Sequence, residues 1–161
     1  MTTNRILLVE DDNNLAEQAM QMLRKESYEP LRVQIEYAME FSEWQSYGIT
    51  PRDLVVLDLN FKIVGVKYSG KDVLKVLENG KQRGILPGLE KILIATSMKA
   101  EVDPRQVSPD IAFIDERIKM YGLEKGVNQT KRMVDSQGYA VSLLASIHEI
   151  YQGQRSILNS A

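Results

Sequence analysis

Asp53-Leu-Val-Val-Leu-Asp58-Leu-Asn-Phe61 is the stretch on which the fold turns. Its apolar, largely β-branched run ends on one carboxylate and gives way to polar and basic residues. A continuous apolar run of this length, without alternation, is the pattern of a strand covered on both faces. In open α/β sheets, ligands gather beyond the carboxyl ends of the strands, and that is where Asp58 projects if this reading holds.

The neighbouring sequence repeats the pattern. Ile6-Leu-Leu-Val9 stops at Glu10-Asp11-Asp12, Ile92-Leu-Ile-Ala95 at Thr96-Ser97, and Ile111-Ala-Phe-Ile114 at Asp115-Glu116. These runs predict three more buried strands with polar ends. Leu31, Val33, Ile35 and Tyr37 alternate with polar residues, which predicts a half-buried strand at or near a sheet edge. A first helix is expected from a cap at Asn13 or Asn14 to about Lys25, with Leu15, Ala19, Met22 and Leu23 inward. Ser42–Tyr47 predicts a short helix around Trp44, and Val73, Leu74, Val76 and Leu77 a third, closing near Asn79-Gly80. Pro104 and Pro109 limit any helix between Met98 and Asp110 to a turn or two. Residues 117–128, with Gly122 and Gly126, read as an irregular insertion. A long last helix is expected over about 128–152, with Val134, Val141, Leu144, Ala145, Ile147 and Ile150 inward. Five strand and helix alternations predict one α/β domain over 1–161, a five-stranded parallel sheet wound with helices on both faces.

Composition narrows the chemistry. At 161 residues, 43% hydrophobic and 26% charged, the chain supports one ordinary globular core. A formal net charge of -2 gives no global field for nucleic acid. The absence of cysteine excludes disulfides, thiolate metal sites and a Cys nucleophile, and a single histidine, His148, excludes a multi-histidine metal site. No apolar run approaches a membrane span and the amino terminus leads straight into a strand, so no membrane insertion and a cytoplasmic location are expected. His148 and Trp44 read as structural side chains, Trp44 as a packing anchor.

Glu10, Asp11 and Asp58 would meet at one sheet edge. Three carboxylates suit a hard divalent cation such as Mg²⁺, which takes oxygen ligands. Such a cation also lets a carboxylate accept a phosphoryl group, by neutralising charge on the transferring oxygens. A hydroxyl from Thr96 or Ser97 is placed to hydrogen-bond one of those oxygens. Gly65-Val-Lys-Tyr-Ser-Gly70-Lys71-Asp72 nearly matches a phosphate-binding loop, but Asp72 stands where a magnesium-holding hydroxyl is required. Gly70 and Lys71 read instead as the opening of the third helix, in a basic loop with Lys62 and Lys67 beside Asp58.

Leu7-Leu8-Val9-Glu10-Asp11-Asp12, Leu54-Val-Val-Leu-Asp58 and Ile92-Leu-Ile-Ala-Thr96 resemble the three signature strand ends of the two-component response-regulator receiver domain. The resemblance covers roughly residues 5–116 and, more loosely, the last helix. It implies a flavodoxin-like sheet in the order 2-1-3-4-5. It implies Asp58 as phosphoacceptor, Mg²⁺ held by Glu10, Asp11, Asp58 and the backbone carbonyl of Asn60, Thr96 as switch hydroxyl and Phe113 as switch aromatic. It also implies a sensor histidine kinase or phosphotransfer protein as donor and a protein target as output, with self-catalysed phosphorylation and dephosphorylation but no enzyme turnover. Receivers carry a lysine three positions after the aromatic, where this chain has Glu116, so an atypical receiver is expected. Two alternatives follow: a phosphorylation-independent pseudo-receiver binding module, and a Mg²⁺-dependent phosphotransferase or phosphatase. Asn60, where dehalogenase-type hydrolases carry a second Asp, speaks against the last.

Overall fold

The computed structural model describes residues 3–61, 65–97, 115–125, 127–128 and 133–153, with the backbone alone at 127, 128 and 133. Five parallel strands form one sheet: β1 (Arg5–Val9), β2 (Glu29–Arg32), β3 (Leu54–Asp58), β4 (Lys91–Thr96) and β5 (Lys119–Glu124), in the order β2-β1-β3-β4-β5. Two short antiparallel strands follow, β6 (Val127–Asn128) and β7 (Met133–Val134). The helices among the described residues are α1 (Asn13–Lys25), α2 (Phe41–Ser46), α3 (Gly70–Gln82) and α4 (Ser136–Tyr151). None is long and apolar enough to cross a membrane.

The central strands are apolar throughout because both faces are covered. Leu7, Val55, Leu57, Ile92, Ile94 and Met120 pack against Trp44 of α2 and Val73, Leu74 and Leu77 of α3. Ile6, Leu8, Val56, Leu93, Tyr121 and Leu123 pack on the other face against Leu15, Ala19 and Leu23 of α1 and Tyr139, Leu143 and Ile147 of α4. Alternate residues of each strand therefore feed two separate cores, as the two-residue strand period requires.

Several expectations are corrected. The fifth strand is 119–124, inside the stretch expected to be irregular; Lys119 and Glu124 at its ends and Gly122 in its middle hid the buried run Met120–Leu123. Residues 111–114, the proline-limited segment 98–110 and Lys62 lie outside the described residues. β2 ends at Arg32, and Ile35–Tyr37 forms a 3-10 turn instead of continuing the strand. Pro30 fits β2 because an edge strand can spare a ladder donor. Asp12, not Asn13 or Asn14, caps α1, its Oδ1 accepting from the amides of Asn14 and Leu15. α3 runs past Gly80 to Gln82, and a Cβ at Gly80 would lie 2.7 Å from the Leu86 side chain, so the glycine leaves room for packing inside the helix.

α4 begins at Ser136, and its inward face is Tyr139, Ala140, Leu143, Ser146, Ile147 and Ile150. Val141 and Ala145, expected inside, are exposed. Apolar residues lie around much of this helix, so sequence periodicity marks its face only weakly.

Candidate phosphoacceptor site

Parallel register assembles the site. Val9 pairs with Leu57, so one residue further Glu10 comes beside Asp58. Asp58 pairs with Ala95, so Thr96 follows at the same edge. Thr96 pairs with Glu124, and the next amide, of Lys125, donates to the Thr96 carbonyl at 2.7 Å. Four strand ends thus deliver Glu10-Asp11, Asp58, Thr96 and Lys125 to one place, as the carboxyl edge of a parallel sheet allows.

One carboxylate oxygen from each of Glu10, Asp11 and Asp58 lies within 4.8 Å of the others. Glu10 and Asp58 are 3% and 6% exposed, and Thr96 is fully buried. Lys125 inserts a buried ammonium among them, with Nζ 2.5 Å from Glu10 Oε1 and 3.5 Å from Asp58 Oδ1. The Tyr139 ring of α4 covers that ammonium, its centroid 5.3 Å from Nζ. Backbone donors and neighbours hold the acids in place. The Asp12 amide donates to Glu10 Oε2 at 3.1 Å, the Asn60 amide to Asp58 Oδ1 at 3.2 Å, and Arg32 to the Glu10 carbonyl at 2.9 Å.

The electrostatics follow from crowding. Burial pushes the Asp58 carboxyl up to about 8; Lys125 opposes this, and Glu10 and a hydrogen bond to Asp11 add to it. Burial likewise raises Glu10, outweighing the attraction of Lys125. Burial pulls the Lys125 ammonium down, but Glu10 and Asp58 more than offset it, so its net shift is upward. The Tyr139 phenol is pushed well up by burial and by the charges of Glu10 and Asp58. The Lys125 ammonium lies against two of the three carboxylates, and a cluster of three acids of this spacing suits a hard cation.

Lys125 is the residue that sequence reasoning missed. Counting from Phe113 puts the lysine position at Glu116, and Phe113 lies outside the described residues. Three positions before Lys125 stands Gly122, so the aromatic beside the ammonium comes from α4 and not from the strand. Glu116 does not face Asp58. It lies in the turn before β5, where Ile118 donates to the Asp115 carbonyl and Lys119 to that of Glu90, at the amino edge of the sheet. The usable signal was the spacing Ile118, Met120, Tyr121, Leu123, an apolar run ending on Glu124-Lys125.

The loop before α3 is not a phosphate cradle. Ser69 and Asp72 form a reciprocal capping box at the start of α3, with the Ser69 amide donating to Asp72 Oδ2 at 2.9 Å. Gly70 lies against the backbone of Asp58 and Leu59, and its amide donates to the Leu59 carbonyl.

The fold matches solved structures. A signal receiver domain from Vibrio parahaemolyticus superposes with a TM-score of 0.57 at 23% identity, over 95% of this chain and 93% of that one. This chain has the receiver fold. A chemotaxis response regulator of Vibrio cholerae gives 0.57 at 13% identity over 92% and 99% of the two chains. A CheY-like response-regulator receiver domain of Methanospirillum hungatei gives 0.54 at 19% over 95% and 97%. No family model matches the chain, and no curated protein matches it in sequence. The receiver fold is thus reached by shape at low sequence identity, with the strand order implied by the three signature strand ends.

Proposed function

We propose that this chain is a signal-transduction receiver that accepts a phosphoryl group on Asp58 and signals by protein contact. The observation that carries the reading is the buried Lys125 ammonium 2.5 Å from Glu10 and 3.5 Å from Asp58, at the mouth of a receiver-fold sheet. It supplies the counter-charge missing from a site with Glu116 at the lysine position, and with it goes the main reason for preferring a phosphorylation-independent pseudo-receiver.

The donor in this reading is a phosphohistidine on a sensor kinase or phosphotransfer protein. An Asp58 oxygen attacks phosphorus in line; the P–N bond breaks, its electron pair stays on the imidazole nitrogen, and an acyl phosphate forms. Glu10, Asp11 and Asp58 fit Mg²⁺ by donor type and spacing, with the Asn60 carbonyl as a further ligand. Bound there, Mg²⁺ neutralises charge on the transferring oxygens. Lys125 pairs with a phosphoryl oxygen after transfer, and the Thr96 hydroxyl accepts the switch role. The chain is then a phosphoacceptor and not a turnover enzyme, and its partners are the donor and a downstream protein.

The test is incubation with phosphoramidate or acetyl phosphate and Mg²⁺, followed by intact mass. One added phosphoryl group is expected on wild type and none on Asp58→Asn. An unlabelled wild type, under conditions that label an ordinary receiver, overturns the reading.

A further inference from the structure

We propose that Tyr139 is a positioning residue for this site, its ring holding the Lys125 ammonium in line with Glu10 and Asp58 from the helix side. The inference rests on the reading of Asp58 as phosphoacceptor for its consequence, but its geometry stands apart from it. The Lys125 backbone is pinned by the hydrogen bond its amide donates to the Thr96 carbonyl, so the groups around the long side chain set where the ammonium sits. Two carboxylates attract the ammonium from one side, and Glu10, the nearer at 2.5 Å, would draw it away from Asp58 at 3.5 Å. The Tyr139 ring closes another side at 5.3 Å, within the range where an aromatic face attracts a cation. A buried ring there also excludes water that would otherwise solvate the charge.

Tyr139 is itself firmly placed. Its amide donates to the Asp135 carbonyl at 2.8 Å in the first turn of α4, and its ring belongs to the core shared with Leu15, Leu123 and Leu143. The position of α4 against α1 is therefore coupled to the position of the ammonium. A shift of α4 would carry the ring away from the ammonium beside Asp58.

The test compares Tyr139→Phe, which keeps the ring, with Tyr139→Leu, which removes it, in lysine-labelled protein. In wild type and Tyr139→Phe the Lys125 Hε resonance, assigned by its loss in Lys125→Arg, is expected upfield of the other lysines through the ring current. In Tyr139→Leu it returns among them. Labelling of Asp58 by acetyl phosphate should stay within about twofold of wild type in Tyr139→Phe and fall about tenfold in Tyr139→Leu. If Tyr139→Leu does not fold, Tyr139→Met takes its place. An unshifted Lys125 Hε in wild type, or a ringless variant that labels at the wild-type rate, overturns the proposal. If wild type accepts no phosphoryl group, the phosphoacceptor reading fails by itself, and the Hε comparison alone upholds or overturns the placement of the ammonium by Tyr139.

Discussion

Lys125 and Glu10 are separated by 115 positions in the chain and meet at 2.5 Å in a buried ion pair. Removing one partner of such a pair leaves charge in a poorly solvated place, which costs about 3–5 kcal/mol. Lys125→Met should lose stability of that order in metal-free buffer. Without a competing ammonium, the carboxylates should take Mg²⁺ more readily, so Mg²⁺ should raise the Tm of the variant more than that of wild type. Thermal unfolding with and without Mg²⁺ measures both, and an equal Mg²⁺ shift in the two proteins would contradict the shared-site account.

Arg5 and Asp53 join β1 to the entry of β3 at the opposite edge, with Nη2 2.7 Å from Oδ2 and the Thr50 amide donating to the same oxygen at 2.8 Å. Burial alone would push the Asp53 carboxyl up, but the bonds from Arg5 and Thr50 outweigh it and hold it below its ordinary value. A folded-state pKa below the unfolded value of about 3.9 makes this contribution complete above that pH and lost as pH falls through the lower folded value. Asp53→Asn should cost about 1.5–3 kcal/mol at neutral pH, the worth of hydrogen bonds to a charged group. Urea midpoints should show the gap from wild type closing at strongly acidic pH; a gap independent of pH would contradict the assignment.

Gly70 opens α3 where a Cβ would lie 1.8 Å from the Asp58 carbonyl oxygen and 2.6 Å from the Leu59 Cα. These are backbone atoms and cannot rotate away. Gly70→Ala must push the helix or the Asp58 strand end aside, at a cost of about 1–3 kcal/mol or somewhat more. Because the displaced strand end carries Asp58, acceptance of the phosphoryl group should fall as well. Chemical denaturation and intact-mass labelling of the same variant test the two effects together, and wild-type values in both would refute the contact.

Trp44 is the one tryptophan of the chain; it is fully buried on α2, and its indole Nε1 donates to the Ala38 carbonyl at 2.6 Å. Its fluorescence should be that of an apolar site and shift to longer wavelength on unfolding. Trp44→Ala should cost about 3–5 kcal/mol. A red-shifted native spectrum would place the ring elsewhere.

The sheet and most of the site were legible because buried parallel strands leave continuous apolar runs, and Glu10, Asp11, Asp58 and Thr96 each follow such a run directly. β5 was not legible for the complementary reason. It is the edge strand on the side of β4, it begins and ends on charged residues, and Gly122 interrupts it, so it lacks the pattern of the central strands. Ile111–Ile114 offered a cleaner apolar run and drew the count of positions to Glu116. The inward face of α4 was obscured for another reason, since exposed Val141 looks no different in sequence from buried Leu143. Tyr139 carried no signal of its own, because the role proposed for it depends on a lysine fourteen positions earlier, before β6 and β7.

The placement of β5 also bears on how the molecule is made. The ammonium that balances the acidic edge belongs to the residue immediately after the last strand of the sheet in chain order. A growing chain that has formed only β1 to β4 has an open β4 edge and three carboxylates without their lysine, and such edges invite wrong pairing. Adding β5 and bringing the ammonium to the acids are one event, and it moves the open edge to a strand that begins and ends on charged residues.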